Sequence, residues 1–227
     1  MRPICHWGCI FLRKFVGVAL PLFSITILIW IEQGLEVEYV WKTSAKIMLF
    51  LLIPFLLFRK AGLPFLRIRN ADSKSIKIAI GAGATIIGLI IGAFVVLMPF
   101  IDIDALLVDL VDAGVTASVF PFIALYILFG NSLLEEFFFR GLLPNLLTTS
   151  RFRLLLPSFF FAIYHIAIFL PWFSPPLLAL AIIGLWIGGI IFQLVNEQSQ
   201  TILPSWTIHM FADIGVLLIG VYIFYFY

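Results

Sequence analysis

Charge is what this chain of 227 residues has least of, since only 11% of its residues are charged whereas 63% are hydrophobic. Soluble domains are about one-quarter charged and about half apolar, and no stretch of this chain is polar enough and long enough to form one. The net charge of +2 is too small to indicate a nucleic-acid partner. The composition therefore predicts an all-α, polytopic transmembrane bundle in which residues 1–227 form a single domain.

Cysteine is also scarce, since Cys5 and Cys9 are the two cysteines of the chain. No other cysteine is present to complete a metal site or a disulfide framework, so we interpret both as reduced thiols. The apolar run 15–31 follows two basic residues, as in a signal peptide, but no small-residue cleavage site comes after it. We therefore expect this run to be a retained first helix.

Long apolar runs are abundant, and about 17 to 25 apolar residues suffice to cross a bilayer as a helix. Seven candidate spans lie at approximately 15–31, 45–58, 78–98, 117–139, 154–171, 177–195 and 204–225. The second is short and would need Trp41 to Ser44 to complete it. Two glycine pairs with GxxxG spacing predict close helix packing in the third and sixth spans: Gly88 with Gly92, and Gly184 with Gly188.

The distribution of charge predicts the orientation of these spans. With seven spans and a cytosolic N-terminus, the inner segments hold Arg2, Arg13, Lys14, Arg59, Lys60, Arg67, Arg69, Lys74, Lys77, Arg151 and Arg153. The outer segments hold Lys42 and Lys46 together with Glu32, Glu36, Glu38, Asp102, Asp104, Asp109 and Asp112. This asymmetry follows the positive-inside rule. We expect a multi-pass protein of a bacterial inner membrane, or of the endoplasmic reticulum if the source is eukaryotic.

A few ionisable residues remain inside the spans, where a charged side chain costs about 2.5 to 3.5 kcal/mol and usually marks function. They are Glu135, Glu136, Arg140, His165, His209 and Asp213. The predicted helix ends place all of them in the inner half of the bilayer, so we expect one site near the cytosolic side.

Spacing along the helices suggests different roles for these residues. Glu136 and Arg140 are four residues apart, so they share a face and can pair, as can His209 and Asp213. Glu135 is turned about 100° from Glu136. We therefore expect a structural Glu136–Arg140 ion pair and a free carboxylate at Glu135.

The same residues form three motifs in order on separate spans. They are EExxxR at Glu135, Glu136 and Arg140, FxxxH at Phe161 and His165, and HxxxD at His209 and Asp213. Over residues 117–215 the chain resembles the CPBP (Abi) family of CAAX proteases and bacteriocin-processing enzymes, intramembrane proteases that include the prenyl-protein endopeptidase of the endoplasmic reticulum. Residues 1–110 are only generically similar. The HExxH and GxGD motifs of other intramembrane proteases are missing.

The resemblance implies an intramembrane endopeptidase with its catalytic core in 117–215, acting on peptide or protein substrates at the bilayer, prenylated ones among them. No serine or cysteine is spaced beside a base, so water is the expected nucleophile. We expect Glu135 to take a proton from a water held by His165, and His209, helped by Asp213, to stabilise the oxyanion. Glu136, Arg140 and Phe161 would support the site.

Several alternatives remain open at the level of sequence. The prenyl-protein branch of the family carries Asn where this chain has Asp213, and an ionised Asp accepts but does not donate hydrogen bonds. Glu135, His165, His209 and Asp213 would also supply oxygen and nitrogen ligands for zinc, although the lack of a compact motif favours a metal-free enzyme. The functional rivals are a non-catalytic self-immunity or scaffold protein and a proton-coupled transporter.

Overall fold

The structure, a computed structural model, describes residues 4–35, 37–67, 71–147 and 150–227, which form helices and no strand. The helices are α1 (Ile4–Gly34), α2 (Tyr39–Phe58), α3 (Ser73–Phe100), α4 (Ile103–Asp112), α5 (Phe120–Leu146), α6 (Arg151–Phe169), α7 (Pro175–Ser199) and α8 (Leu203–Tyr225). The side chains of residues 4–11 lie outside the described part, so the interpretation of Cys5 and Cys9 stays a prediction.

All of these helices except α4 are long and apolar enough to cross a membrane, which confirms the predicted fold class and the seven spans. The chain is an integral, multi-pass membrane protein. Helix α2 begins at Tyr39 and so includes the residues that the short second span needed. Helix α5 continues to Leu146, beyond its predicted end at 139. The cytosolic position of the N-terminus stays a prediction.

The acidic connection between α3 and α5 is not a plain loop, because it contains the ten-residue helix α4. Asp102 caps this helix, since its Oδ1 accepts a hydrogen bond of 3.0 Å from the backbone N–H of Ala105. Ile103, its first residue, and Val115, which follows it, are buried. The cap and these apolar anchors hold the connection against the bundle.

Wide helical turns interrupt α2 and α5, with π-type hydrogen bonding at Met48–Leu52, Tyr126–Asn131 and Glu136–Leu142. Two of these segments contain the residue four positions before a proline, which is Phe50 before Pro54 and Arg140 before Pro144. Proline lacks an N–H, and its ring crowds the carbonyl four residues earlier, so the helix widens there. Wide turns of this kind are frequent at functional sites.

An aromatic core joins α2, α5 and α6. The buried ring of Phe50 stacks on Phe138 with a centroid distance of 4.5 Å. It also packs edge to face against Phe139 at 5.1 Å and Tyr164 at 5.2 Å. These contacts fix the three helices that carry Lys46, Glu135 and His165.

Close packing of α3 on α8 depends on single glycines. A Cβ at Gly83 would lie 2.6 Å from the ring of Phe211, and one at Gly215 would lie 3.3 Å from Ile90. The packing predicted for the two GxxxG pairs is wrong within this chain, because a Cβ at any of their glycines would meet no atom within 4 Å. Those open positions are Gly88, Gly92, Gly184 and Gly188.

Candidate active site

The predicted site residues of α5 and α8 come together inside the bundle. Glu135 and Glu136 are 1% and 0% exposed, and His209 is 5% exposed. His209 Nδ1 lies 2.9 Å from Glu136 Oε1, and its Nε2 lies 3.7 Å from Glu135 Oε2. Asp213 Oδ1 is 3.8 Å from the same Nε2, so the face predicted for His209 and Asp213 is present. One imidazole thus borders three carboxylates.

Glu136 is the centre of this arrangement. Its Oε1 accepts the Nδ1–H of His209, and its Oε2 accepts the hydroxyl of Ser205. The predicted pair with Arg140 is present, with Nη1 3.6 Å from Oε1. Glu136 therefore orients His209 as well as balancing the arginine, and any donation from His209 Nε2 requires the doubly protonated ring.

Two residues that sequence reasoning missed extend this network. Asn196 Nδ2 donates to Ser205 Oγ at 2.6 Å, and the backbone N–H of Ser205 donates to Asn196 Oδ1 at 3.0 Å. Both side chains are buried. Ser205 precedes His209 by four residues on α8, and this spacing was the available signal.

Glu135 is not the free carboxylate that was expected. Its Oε1 accepts a hydrogen bond of 2.9 Å from Asn131 Nδ2, and Lys46 Nζ lies 3.9 Å from the same oxygen. Lys46 also donates to Asn131 Oδ1 at 2.9 Å. The assignment of Lys46 to an outer segment therefore needs correction. Because α2 begins at Tyr39, Lys46 lies about 10 Å inside the helix and faces the bundle.

The second oxygen of Glu135 has no hydrogen-bond partner among the described residues, although it is buried. The same is true of Asp213 Oδ2 and of the hydroxyls of Tyr126 and Tyr164, which lie within electrostatic range of Glu135. A buried polar atom without a partner costs about 1 to 3 kcal/mol. Glu135 Oε2 and Asp213 Oδ2 therefore keep acceptor capacity that a small polar ligand would satisfy.

His165 stands at a break in α6, where regular helix ends at Tyr164 and resumes at Ile166. Its Nδ1–H donates to the carbonyl of Phe161 at 2.7 Å, which leaves Nε2 of the neutral ring as an acceptor. The described part of the structure shows no hydrogen bond or ion pair between His165 and Glu135. The two side chains are nevertheless close enough for their charges to interact. His165 is therefore less tightly integrated into the site than His209.

Phe161 connects the two histidines. Its ring centroid is 4.6 Å from that of His165 and 5.8 Å from that of His209. The guanidinium carbon of Arg140 lies 3.8 Å from the same centroid. Phe161 thus packs against both histidines and Arg140, and its supporting role stays a prediction.

The longer α5 changes the expected depth of the site. Glu135 lies about 22 Å from the start of α5 and about 16 Å from its end, at 1.5 Å per residue. It is therefore near the middle of the helix rather than close to one end. Which membrane face lies nearer stays a prediction.

Metal binding was the open alternative for these residues. Within the described ranges, no group of three or more His, Cys, Asp or Glu side chains is arranged to hold a metal ion. Nδ1 of His209 is already engaged by Glu136. The expectation of a metal-free enzyme stays a prediction.

Comparison with known proteins supports the resemblance seen in the sequence. Residues 117–215 match the model of the Rce1-like family, described as type II CAAX prenyl endopeptidase Rce1-like, which confirms the resemblance over the segment predicted to be the catalytic core. Searches of curated proteins and of solved structures found no significant match.

Proposed function

We propose that this chain, with its Rce1-like segment at 117–215, is an intramembrane endopeptidase in which Glu135 activates a water molecule. The family match implies a membrane-embedded CAAX-type endopeptidase acting on peptide or protein substrates. The glutamate mechanism is our own inference from the geometry. It is carried by one observation, the buried, unpartnered Oε2 of Glu135 located 3.7 Å from His209 Nε2.

The geometry supports the following reaction. A water bound at Glu135 Oε2 gives its proton to that oxygen while its own oxygen bonds to the substrate carbonyl carbon. The negative charge that develops on the carbonyl oxygen accepts the Nε2–H of protonated His209. Collapse of the tetrahedral intermediate breaks the C–N bond, and Glu135 returns the proton to the leaving nitrogen. The products are an amine and a carboxylic acid, which keeps the second proton of the water until it ionises.

The neighbouring residues support these steps by orientation. Lys46 and Asn131 engage Oε1 of Glu135, so Oε2 is the oxygen that faces His209. Glu136 accepts the Nδ1–H of His209, and Asp213 Oδ1 lies 3.8 Å from its Nε2. We assign His165 Nε2 as the acceptor of a hydrogen bond from the second O–H of the water.

The substrates that we propose are membrane-associated peptides, prenylated or otherwise lipidated, because a site in the interior of a helix bundle receives chains already held at the bilayer. We propose that no metal takes part. Activity should then survive exhaustive chelation, with no metal found by elemental analysis. Loss of activity that only zinc restores would establish the zinc-dependent alternative.

The deciding experiment is cleavage of lipidated and unmodified peptides by the purified chain in liposomes. Glu135→Gln should lower kcat by about 10² to 10⁴, the usual contribution of a general base. His165→Ala should also reduce it. The matched control is Asp109→Asn, which removes one acid from the exposed face of α4. Thermal unfolding of each variant separates lost catalysis from lost folding.

Two results would contradict the proposal. If Glu135→Gln cleaves as fast as Asp109→Asn, then Glu135 is not the base. If the wild type cleaves nothing while any immunity phenotype survives Glu135→Gln, the chain is a non-catalytic self-immunity or scaffold protein.

A further inference from the structure

A separate polar cavity of about 250 Å³ lies where the ends of α5 and α7 meet the start of α6, the turn between α7 and α8, and the connection between α2 and α3. Its lining includes Arg140, Arg153, Gln193 and Glu197. Glu135, His165 and His209 do not line it. The cavity is therefore distinct from the site proposed for hydrolysis, although Arg140 and Asn196, which line it, also belong to the network around Glu136.

Arg140 presents donors to this cavity that the protein does not use. The residue is 3% exposed, and its Nε, Nη1 and Nη2 have no hydrogen-bond partner in the described part of the chain. The 3.6 Å to Glu136 Oε1 is too long for a hydrogen bond. The guanidinium lies between the rings of Phe161 and Phe192, with 3.8 and 5.2 Å from its carbon to their centroids. This stacking leaves the edge of the group, which carries the N–H donors, free of the aromatic faces.

A glycine on α7, Gly189, leaves space beside the N–H donors of Arg140. A Cβ at Gly189 would lie 3.2 Å from Nη2 of Arg140 and 3.0 Å from Cβ of Ser158. Any side chain at 189 would therefore crowd the guanidinium, and glycine avoids this.

Further unused polar atoms come from neighbouring helices. Arg153 Nε on α6 and Gln193 Oε1 on α7 are buried and have no hydrogen-bond partner among the described residues. The lining contains two guanidinium groups and one carboxylate, that of exposed Glu197, and Glu136 lies 3.6 Å from Arg140 outside the lining. The case for an anion therefore rests on the N–H donors without partners rather than on an excess of positive charge. Arginine recognises phosphate and carboxylate oxygens equally well by geometry, but a phosphate offers more oxygens to donors arriving from two helices.

We propose that this cavity binds a phosphate group, and that the group belongs to the headgroup of an anionic membrane lipid. The cavity is lined by residues near helix ends, such as Pro144, Asn145, Gln200 and Thr201. Headgroups of the bilayer lie at that level, and basic pockets between transmembrane helices bind lipid phosphates. The inference does not depend on proteolysis, so it survives if the chain cleaves no peptide.

The test is thermal unfolding of the purified full chain in detergent, titrated with dioctanoyl phosphatidylglycerol or with dioctanoylglycerol, which lacks the phosphate. We expect a saturable rise in the unfolding midpoint with the phospholipid alone. Arg153→Gln should weaken the apparent affinity about tenfold or more, because a charge-assisted hydrogen bond is lost. Arg151→Gln is the matched control, since Arg151 lies on the same helix but does not line the cavity. Arg153→Lys, which keeps the charge, should weaken affinity less than Arg153→Gln and serves if the latter does not fold.

Each outcome decides the matter. Equal effects of the two lipids, or equal affinities for Arg153→Gln and Arg151→Gln, would overturn the proposal. Stabilisation by sodium phosphate matching that of the phospholipid would support a phosphate site and assign it to the free ion. Stabilisation by sodium acetate at the same ionic strength, with none by phosphate, would overturn the proposal in favour of a carboxylate ligand.

Discussion

Lys46 provides the sharpest test of the site, because it is the lysine that pairs with Glu135. Its Nζ lies 3.9 Å from Glu135 Oε1, and the two side chains are 13% and 2% exposed. Two unit charges at this separation interact by about 4 kcal/mol at an effective dielectric of about 20 and by about 1 kcal/mol in water. The low exposure favours the first value. We expect an interaction of about 2 to 4 kcal/mol.

A double-mutant cycle measures this energy without requiring activity. The variants are Lys46→Met, Glu135→Gln and the double substitution, and the quantity is the free energy of unfolding in mixed micelles. Each single change leaves the other partner buried without its counter-charge, so the double variant should be less destabilised than the sum of the single variants.

The control cycle uses Lys42→Met and Glu32→Gln. This pair is closer, at 2.9 Å, but its side chains are 19% and 17% exposed, and it joins the end of α1 to the start of α2. More exposed pairs contribute about 1 kcal/mol or less. An additive result for Lys46 and Glu135, within about 0.5 kcal/mol, would refute the reasoning. In the cleavage assay, Lys46→Met should reduce kcat/KM by about 30-fold or more, since about 2 kcal/mol corresponds to that factor, whereas Lys42→Met should change it little.

Further predictions concern packing and the network at Glu136. Ser205→Ala removes a donor from buried Glu136 and should destabilise the protein by about 1 to 3 kcal/mol, whereas Ser158→Ala, which removes a bond within its own helix, should cost less; equal losses in thermal unfolding would contradict this. Gly83→Ala should destabilise by about 1 to 3 kcal/mol because its Cβ meets an aromatic ring of α8. Gly88→Ala on the same helix meets nothing and should be neutral or stabilising by up to about 1 kcal/mol, so a larger loss at 88 than at 83 would refute the packing.

The sequence predicted the spans well because length and hydropathy decide them. It also predicted the Glu136–Arg140 pair and the shared face of His209 and Asp213, since these depend on spacing within one helix. Helical spacing predicts a contact reliably when both partners lie on the same helix.

Contacts between helices were harder to predict. Lys46 was assigned to the outer side because a lysine near the end of a span is normally solvated, and nothing in its own helix indicates that it faces Glu135. The role of Glu136 toward His209 was missed for the same reason, as the partners are 73 positions apart. For the wide turns of α5, the sequence offered one weak indication, which is Pro144.

The wide turn at Glu136–Leu142 has a consequence for comparing related chains. Such a turn holds one more residue than a regular helix needs to climb the same height. Deleting a single residue there would restore regular α-helical hydrogen bonding. Side chains after the turn would keep their height along the helix axis, and side chains before it would keep their direction around that axis. Motif spacings on this helix can therefore drift by one during evolution without moving the groups in space, so an alignment gap at this point would not imply a lost site.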